Sequence, residues 1–138
     1  MSDAFDLDFR LAAETTPVGD LSLCSVLLRD DARFPWLILV PRRAAVTEIT
    51  DLSTEDAGAL MAEIRIAVSV MKLLSKPDKV NVAALGNVVP QLHVHVIGRF
   101  HSDPAWPNPV WGMGERMPYQ PHARAQLIER AAGLFAAQ

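Results

Sequence analysis

The stretch Gln91-Leu92-His93-Val94-His95-Val96-Ile97 decides the reading of this 138-residue chain. Apolar and polar residues alternate through it, the pattern of a strand, whose successive side chains leave on opposite faces. Leu92, Val94 and Val96 share the face that packs on the core; Gln91, His93 and His95 share the other. Two of the four histidines therefore project side by side, about 6.7 Å apart along the strand, twice the rise per residue. At that spacing one imidazole can reach a central atom while the next reaches its substituents, and a tetrahedral phosphate is a target of suitable size. A neutral imidazole is a nucleophile near neutral pH, and a protonated neighbour can donate hydrogen bonds or a proton. On the residues alone three readings stay open: nucleophilic or acid–base chemistry, part of a metal site that needs a third ligand, and a structural or solvated strand.

Outward from this stretch, strands and helices alternate. Leu7 to Glu14 reads as a short helix or an irregular lead-in. Leu21 to Leu28 and Trp36 to Val40 read as strands, the second stopped by Pro41. Ser53 to Ser75 is the main predicted helix, with Ser53 as N-cap, acid in the first turn and Pro77 beyond its end. Its apolar stripe is Leu60, Ile64, Ala67, Val68, Met71 and Leu74. Val80 to Leu85 and Leu92 to Ile97 read as two more strands, joined by the connector Gly86-Asn87-Val88-Val89-Pro90. Residues 101–120 carry Pro104, Pro107, Pro109 and Pro118, which block regular structure. Such a segment reads as a surface loop pinned by Trp106 and Trp111 or, since irregular stretches of that length are often functional, as one whose tryptophans cover a ligand or sit at a seam between copies. Pro121 to Ala137 reads as a terminal helix opened by proline.

Composition bounds the rest. The length suits one domain over residues 1–138, and 50% hydrophobic with 21% charged residues is a globular balance. The net charge of −3 argues against a general nucleic-acid binder. The lone Cys24 excludes an internal disulfide framework and a multi-cysteine zinc module, and reads as a buried small hydrophobe. The acidic start, Met1 to Asp6, lacks the basic and apolar regions of a signal peptide, and no uncharged apolar stretch is long enough to span a bilayer. A cytoplasmic location is expected.

With Val96-Ile97-Gly98-Arg99 fixing the register, the stretch resembles the signature of the histidine triad (HIT) family, His-φ-His-φ-His-φ-φ with φ apolar, except that Gln91 stands at the first histidine. Trp36-Leu37-Ile38-Leu39-Val40-Pro41-Arg42, the long helix and Asn81-Val82-Ala83-Ala84-Leu85-Gly86-Asn87 also match family features, so the resemblance covers roughly residues 20–100. It implies an α+β fold: an antiparallel sheet of about five strands with one long helix and a C-terminal helix, usually paired as a homodimer. It implies hydrolysis or transfer at the α-phosphate of a nucleotide conjugate through a nucleotidyl-histidine intermediate. His93 would then be the nucleophile, and His95 would bind phosphate and help manage protons. No cofactor and no metal ligand set are implied. Gln91 would orient His93 or bind phosphate by hydrogen bonding, but it cannot titrate near neutral pH, which keeps a nucleotide-binding module with little catalysis as the alternative. A metal-dependent hydrolase is a third, more remote reading.

Weaker candidates surround the histidines. Asn81, Gly86 and Asn87 would hold phosphate oxygens through amide groups and a backbone N–H, or simply form turns. Asp30 would accept from ribose hydroxyls, or is a solvated turn acid. Arg99 would clamp phosphate or pair with an acid after the strand, and Arg42 and Arg43 read as a solvated basic pair.

Overall fold

Strands β1 (Thr15–Asp20), β2 (Cys24–Arg29), β3 (Trp36–Pro41), β4 (Lys79–Ala83) and β5 (Val94–Arg99) form one antiparallel sheet in the order β1-β2-β3-β5-β4. Helix α1 (Phe9–Ala13) precedes the sheet, α2 (Thr54–Ser75) joins β3 to β4, and α3 (Pro121–Ala136) closes the chain. This computed structural model describes residues 4–138, so the first three residues of the acidic start lie outside it. The architecture is the α+β class expected from the sequence, with α1 settling the lead-in as a short helix.

The fifth strand, β1, was not read from the sequence. Pro17 and Gly19 mask it, since both weaken a strand; they are tolerated because β1 is an edge, where the register against β2 shifts between these two residues. The strand expected from Leu21 begins only at Cys24.

Each face of the sheet has its own apolar layer. Val26, Leu28, Leu37, Leu39, Val94 and Val96 meet the helices on one face, while Leu27, Ile38, Val40 and Ile97 pack on the other beneath Leu11, Phe34 and Val110. The adjacent interior strands β3 and β5 are buried along their whole length, which explains the continuous apolar run of β3.

Helix α2 begins as expected: the Ser53 hydroxyl accepts from the Asp56 N–H at 3.0 Å. Its buried stripe differs from the prediction. Leu60, Ala67, Met71 and Leu74 are buried, but Val70 and Glu63 complete the stripe while Ile64 and Val68 are half-buried. Glu63 is tolerated inside because its carboxylate accepts from the N–H groups of Leu23 and Cys24 at 2.9 and 2.8 Å, satisfying the start of β2. Cys24 is fully buried beside it; burial first, and then the Glu63 carboxylate, push its thiol far above the ordinary range. Arg43 pairs with Asp56 at 2.7 Å, and Arg42 donates to the carbonyls of Leu21 and Ser22, so neither is merely solvated.

Candidate active site

His95 lies on β5 directly opposite Ile38 of β3. His93 sits one residue before β5 begins, so its ring is not held at ideal strand spacing. The two ring centroids are 4.9 Å apart, nearer than the strand rise alone would set, with the planes at 71°. Both side chains open into a cleft of about 520 Å³, although each residue is only 6% exposed.

The hydrogen bonds of the two rings assign their tautomers. Nδ1 of His93 lies 2.7 Å from the backbone carbonyl oxygen of Gln91. A carbonyl only accepts, so Nδ1 carries the proton and Nε2 of the neutral ring carries the lone pair. Nδ1 of His95 accepts from the indole N–H of Trp36 at 2.9 Å. An indole only donates, so the proton of neutral His95 sits on Nε2. The cleft thus holds one imidazole nitrogen that accepts or attacks and one that donates.

His95 is held in that neutral form. Burial, followed by the adjacent His93 and Arg29, brings its pKa down to about 3. It can therefore give a hydrogen bond near neutral pH but not the charge of an imidazolium, which narrows the proton-managing part expected of it. Trp111 closes over the ring with centroids 5.1 Å apart, and also meets Trp36 edge-on at 5.9 Å.

Three further segments wall the cleft. The connector contributes Gly86, Asn87, Val88 and Val89; Gly86 adopts φ +73°, the left-handed region its missing Cβ permits. The N-terminal segment contributes Arg10, Leu11 and Glu14, and β2 contributes Arg29. The Arg29 guanidinium lies 4.7 Å from the Trp36 ring centroid and pairs with Glu14 at 2.7 Å. Its Nε is buried with no acceptor among the described residues.

Of the residues singled out in the sequence, His93, His95, Gly86 and Asn87 meet in this cleft, and three do not line it. Asn81 accepts from the Arg99 guanidinium at 2.9 Å. Asp30 accepts from the Tyr119 N–H at 2.9 Å and pairs with Arg124 at 3.1 Å, pinning the approach to α3 rather than presenting an acid to a ligand. Gln91 turns toward the N-terminal segment, where its amide oxygen accepts from Asp8 N–H and its amide nitrogen donates to the Asp6 carbonyl, both at 2.8 Å.

Arg99 neither faces the cleft nor meets solvent. It is 1% exposed and forms a buried pair with Asp103 at 2.8 Å, while also donating to the Asn108 carbonyl. Burial alone would raise the Asp103 carboxyl, but Arg99 and the backbone N–H groups of Phe100, Trp106 and Ala105 bring it down to about 2. This brace holds the proline-rich segment whose continuation places Trp111 on His95. Trp106 stays outside the cleft, against His101 and over Arg99. Sequence reasoning missed Arg10, Leu11 and Arg29. For Arg29 a signal existed: it lies two residues beyond Leu27 on β2, hence on the face shared with Ile38 and His95.

Among the described residues no three of His, Cys, Asp and Glu cluster as metal ligands, and no helix is long and apolar enough to cross a membrane.

Comparison with known proteins agrees with this geometry. The family model described as HIT domain matches residues 10–102, so the chain belongs to the HIT domain family. A histidine triad protein from Marinobacter aquaeolei VT8 superposes with TM-score 0.94 at 44% identity, over 97% of this chain and 98% of that one. Another from Bradyrhizobium japonicum gives TM-score 0.93 at 43% identity, over 96% and 98%. Among curated proteins, the AP-4-A phosphorylase of Mycobacterium tuberculosis is 37% identical over 73 residues, which are 49% of this chain and 37% of that protein. The matched part thus spans little more than a third of that relative's length.

Proposed function

We propose that this protein is a nucleotidyl hydrolase or transferase acting at the α-phosphate of a nucleotide conjugate, with His93 as nucleophile. The observation that carries the reading is the opposite tautomers of the two imidazoles in one cleft. Nε2 of His93 attacks phosphorus; a P–N bond forms as the bond to the leaving group breaks. Water or another acceptor then attacks the nucleotidyl-histidine. A new P–O bond forms, the P–N bond breaks, and the acceptor's proton passes to solvent or to the departed group. Nε2–H of His95 donates to a non-bridging oxygen, a preorganised donor for the charge that builds there. Gly86 and Asn87 complete the phosphate contacts from the connector, and Trp111 with Leu11 and Val88 supplies apolar wall for the nucleoside. The named activity of the mycobacterial relative makes dinucleoside polyphosphates natural test substrates beside nucleoside phosphoramidates.

In this reading Gln91 occupies the first position of the triad, residues 1–138 act as one domain, and the protein works in the cytoplasm as a homodimer. The dimer is supported by β4, a sheet edge with no further strand beside it among the described residues, which carries the exposed Val82. The absence of a titrating side chain at residue 91 favours, as the second reading, a binding module with little turnover.

The test is to mix the protein with diadenosine tetraphosphate or an adenosine phosphoramidate, quench, and weigh the intact chain. The expected result is one added adenylyl group that is missing from His93→Ala, together with loss of turnover in that variant. Equal turnover in His93→Ala would remove the mechanism; nucleotide binding without turnover in either protein would select the binding module.

A further inference from the structure

We infer that Gln91 is a positioning residue: its side chain fastens the N-terminal segment across the cleft as a wall and takes no part in phosphate chemistry. The inference rests on the functional reading above for its effect on catalysis, but its structural content stands on separate observations.

An amide side chain offers an acceptor and a donor side by side. Gln91 uses both on the backbone of one short segment, accepting from Asp8 N–H and donating to the Asp6 carbonyl, each at 2.8 Å across more than 80 residues of chain. The segment is tied a second time from its own side. Asp8 binds the Arg10 guanidinium at 2.9 Å, and Arg10 donates to the Val88 carbonyl of the connector at 2.9 Å. Asp8 also caps α1 by accepting from the Arg10 N–H. Two fasteners, one on residue 91 and one on residue 88, therefore close a belt over the cleft, and the belt brings Arg10 and Leu11 into its lining.

The chemistry of the residue type supports this division of labour. Histidine has its ring nitrogens on opposite edges and cannot bridge the N–H of one residue and the carbonyl two residues earlier in amide fashion. Restoring histidine at position 91 would therefore complete the triad pattern while opening the belt. Meanwhile the Gln91 backbone carbonyl, which any residue supplies, remains available to His93. The side chain thus governs how the cleft holds its substrate, and the main chain governs the nucleophile.

The experiment compares wild type, Gln91→Ala and Gln91→His by amide hydrogen exchange of residues 6–13 and by steady-state kinetics with diadenosine tetraphosphate and an adenosine phosphoramidate. Loss of two hydrogen bonds is expected to speed exchange of the Asp8 N–H by about tenfold or more and to raise KM about tenfold in both variants. The expected change in kcat is less than about threefold. A higher kcat in Gln91→His, a fall in kcat at unchanged KM, or unaltered exchange in Gln91→Ala would overturn the inference. Should wild type turn over neither substrate, the functional reading fails, and exchange alone decides the fastening.

Discussion

The indole N–H of Trp36 donates to Nδ1 of His95 across 2.9 Å, and this one bond determines which nitrogen of His95 offers a proton to the cleft. Trp36 stands on β3 and His95 on β5, strands that pair through Ile38 and His95 themselves, so sheet register sets the tautomer. Replacing Trp36 by Phe keeps an aromatic ring and removes the donor. The ring of His95 is then free to exchange tautomers and to take up a proton at Nδ1. Turnover should fall about tenfold to a hundredfold, less than the roughly hundredfold to thousandfold that loss of a preorganised donor itself costs, because the ring remains and only its tautomer is released. NMR titration should place the His95 transition in Trp36→Phe well above that of wild type; an unmoved transition would contradict the assignment.

Acid should destabilise the protein in a window that His95 sets. Folded His95 stays neutral down to about pH 3, whereas an unfolded histidine binds its proton near pH 6.5. The unfolded chain therefore holds more protons between these values, and stability falls as pH drops. The contribution is complete above about pH 6.5 and is lost progressively toward pH 3. Urea midpoints at pH 7, 5.5 and 4 should decline more steeply in wild type than in His95→Gln. Parallel declines would mean that His95 is not the group responsible.

The Asp103 carboxyl adds a second, lower window with the same sign. Its folded pKa of about 2 lies below the unfolded value, so its stabilisation is present above about pH 4 and lost as pH falls through 2. Asp103→Asn leaves Arg99 buried without its counter-charge. Breaking such a pair costs about 3 kcal/mol or more, and urea denaturation at neutral pH should reveal it. Trp106 emission should also shift, because its N–H partner is the same carboxylate through the backbone.

Gly98 of β5 has no room for a side chain. A Cβ there would lie 2.8 Å from Cγ of Pro35 and 2.9 Å from Oγ of Ser75 on α2. A proline ring yields little, so Gly98→Ala should cost about 1–3 kcal/mol by overpacking. The loss should appear as a lower thermal midpoint, since the affected contact is between sheet and helix rather than in the cleft.

Period-two alternation placed Leu92, Val94 and Val96 toward the helices and the two histidines toward the cleft, as the structure has them, because β5 is buried on both sides and its register admits no slip. Its reach ended where the strand ends. Gln91 and His93 precede Val94, so their side chains follow the connector, and Gln91 turns away from the site. Asn81 and Asp30 failed to reach the cleft for a different reason. Each is engaged by an arginine 18 or 94 residues distant, and such pairings leave no trace in local spacing. The α2 stripe was displaced because a buried glutamate breaks an apolar pattern, and only the N–H groups of Leu23 and Cys24 explain its burial.

The state of Cys24 has a practical consequence. It is the chain's single cysteine, sealed within the sheet–helix layer, and its thiol resists ionisation. A thiol introduced at the exposed Val88, on the rim of the cleft, would thus be the one handle that maleimide reagents find. A fluorophore attached there can report occupancy of the cleft in real time without the native cysteine first being removed.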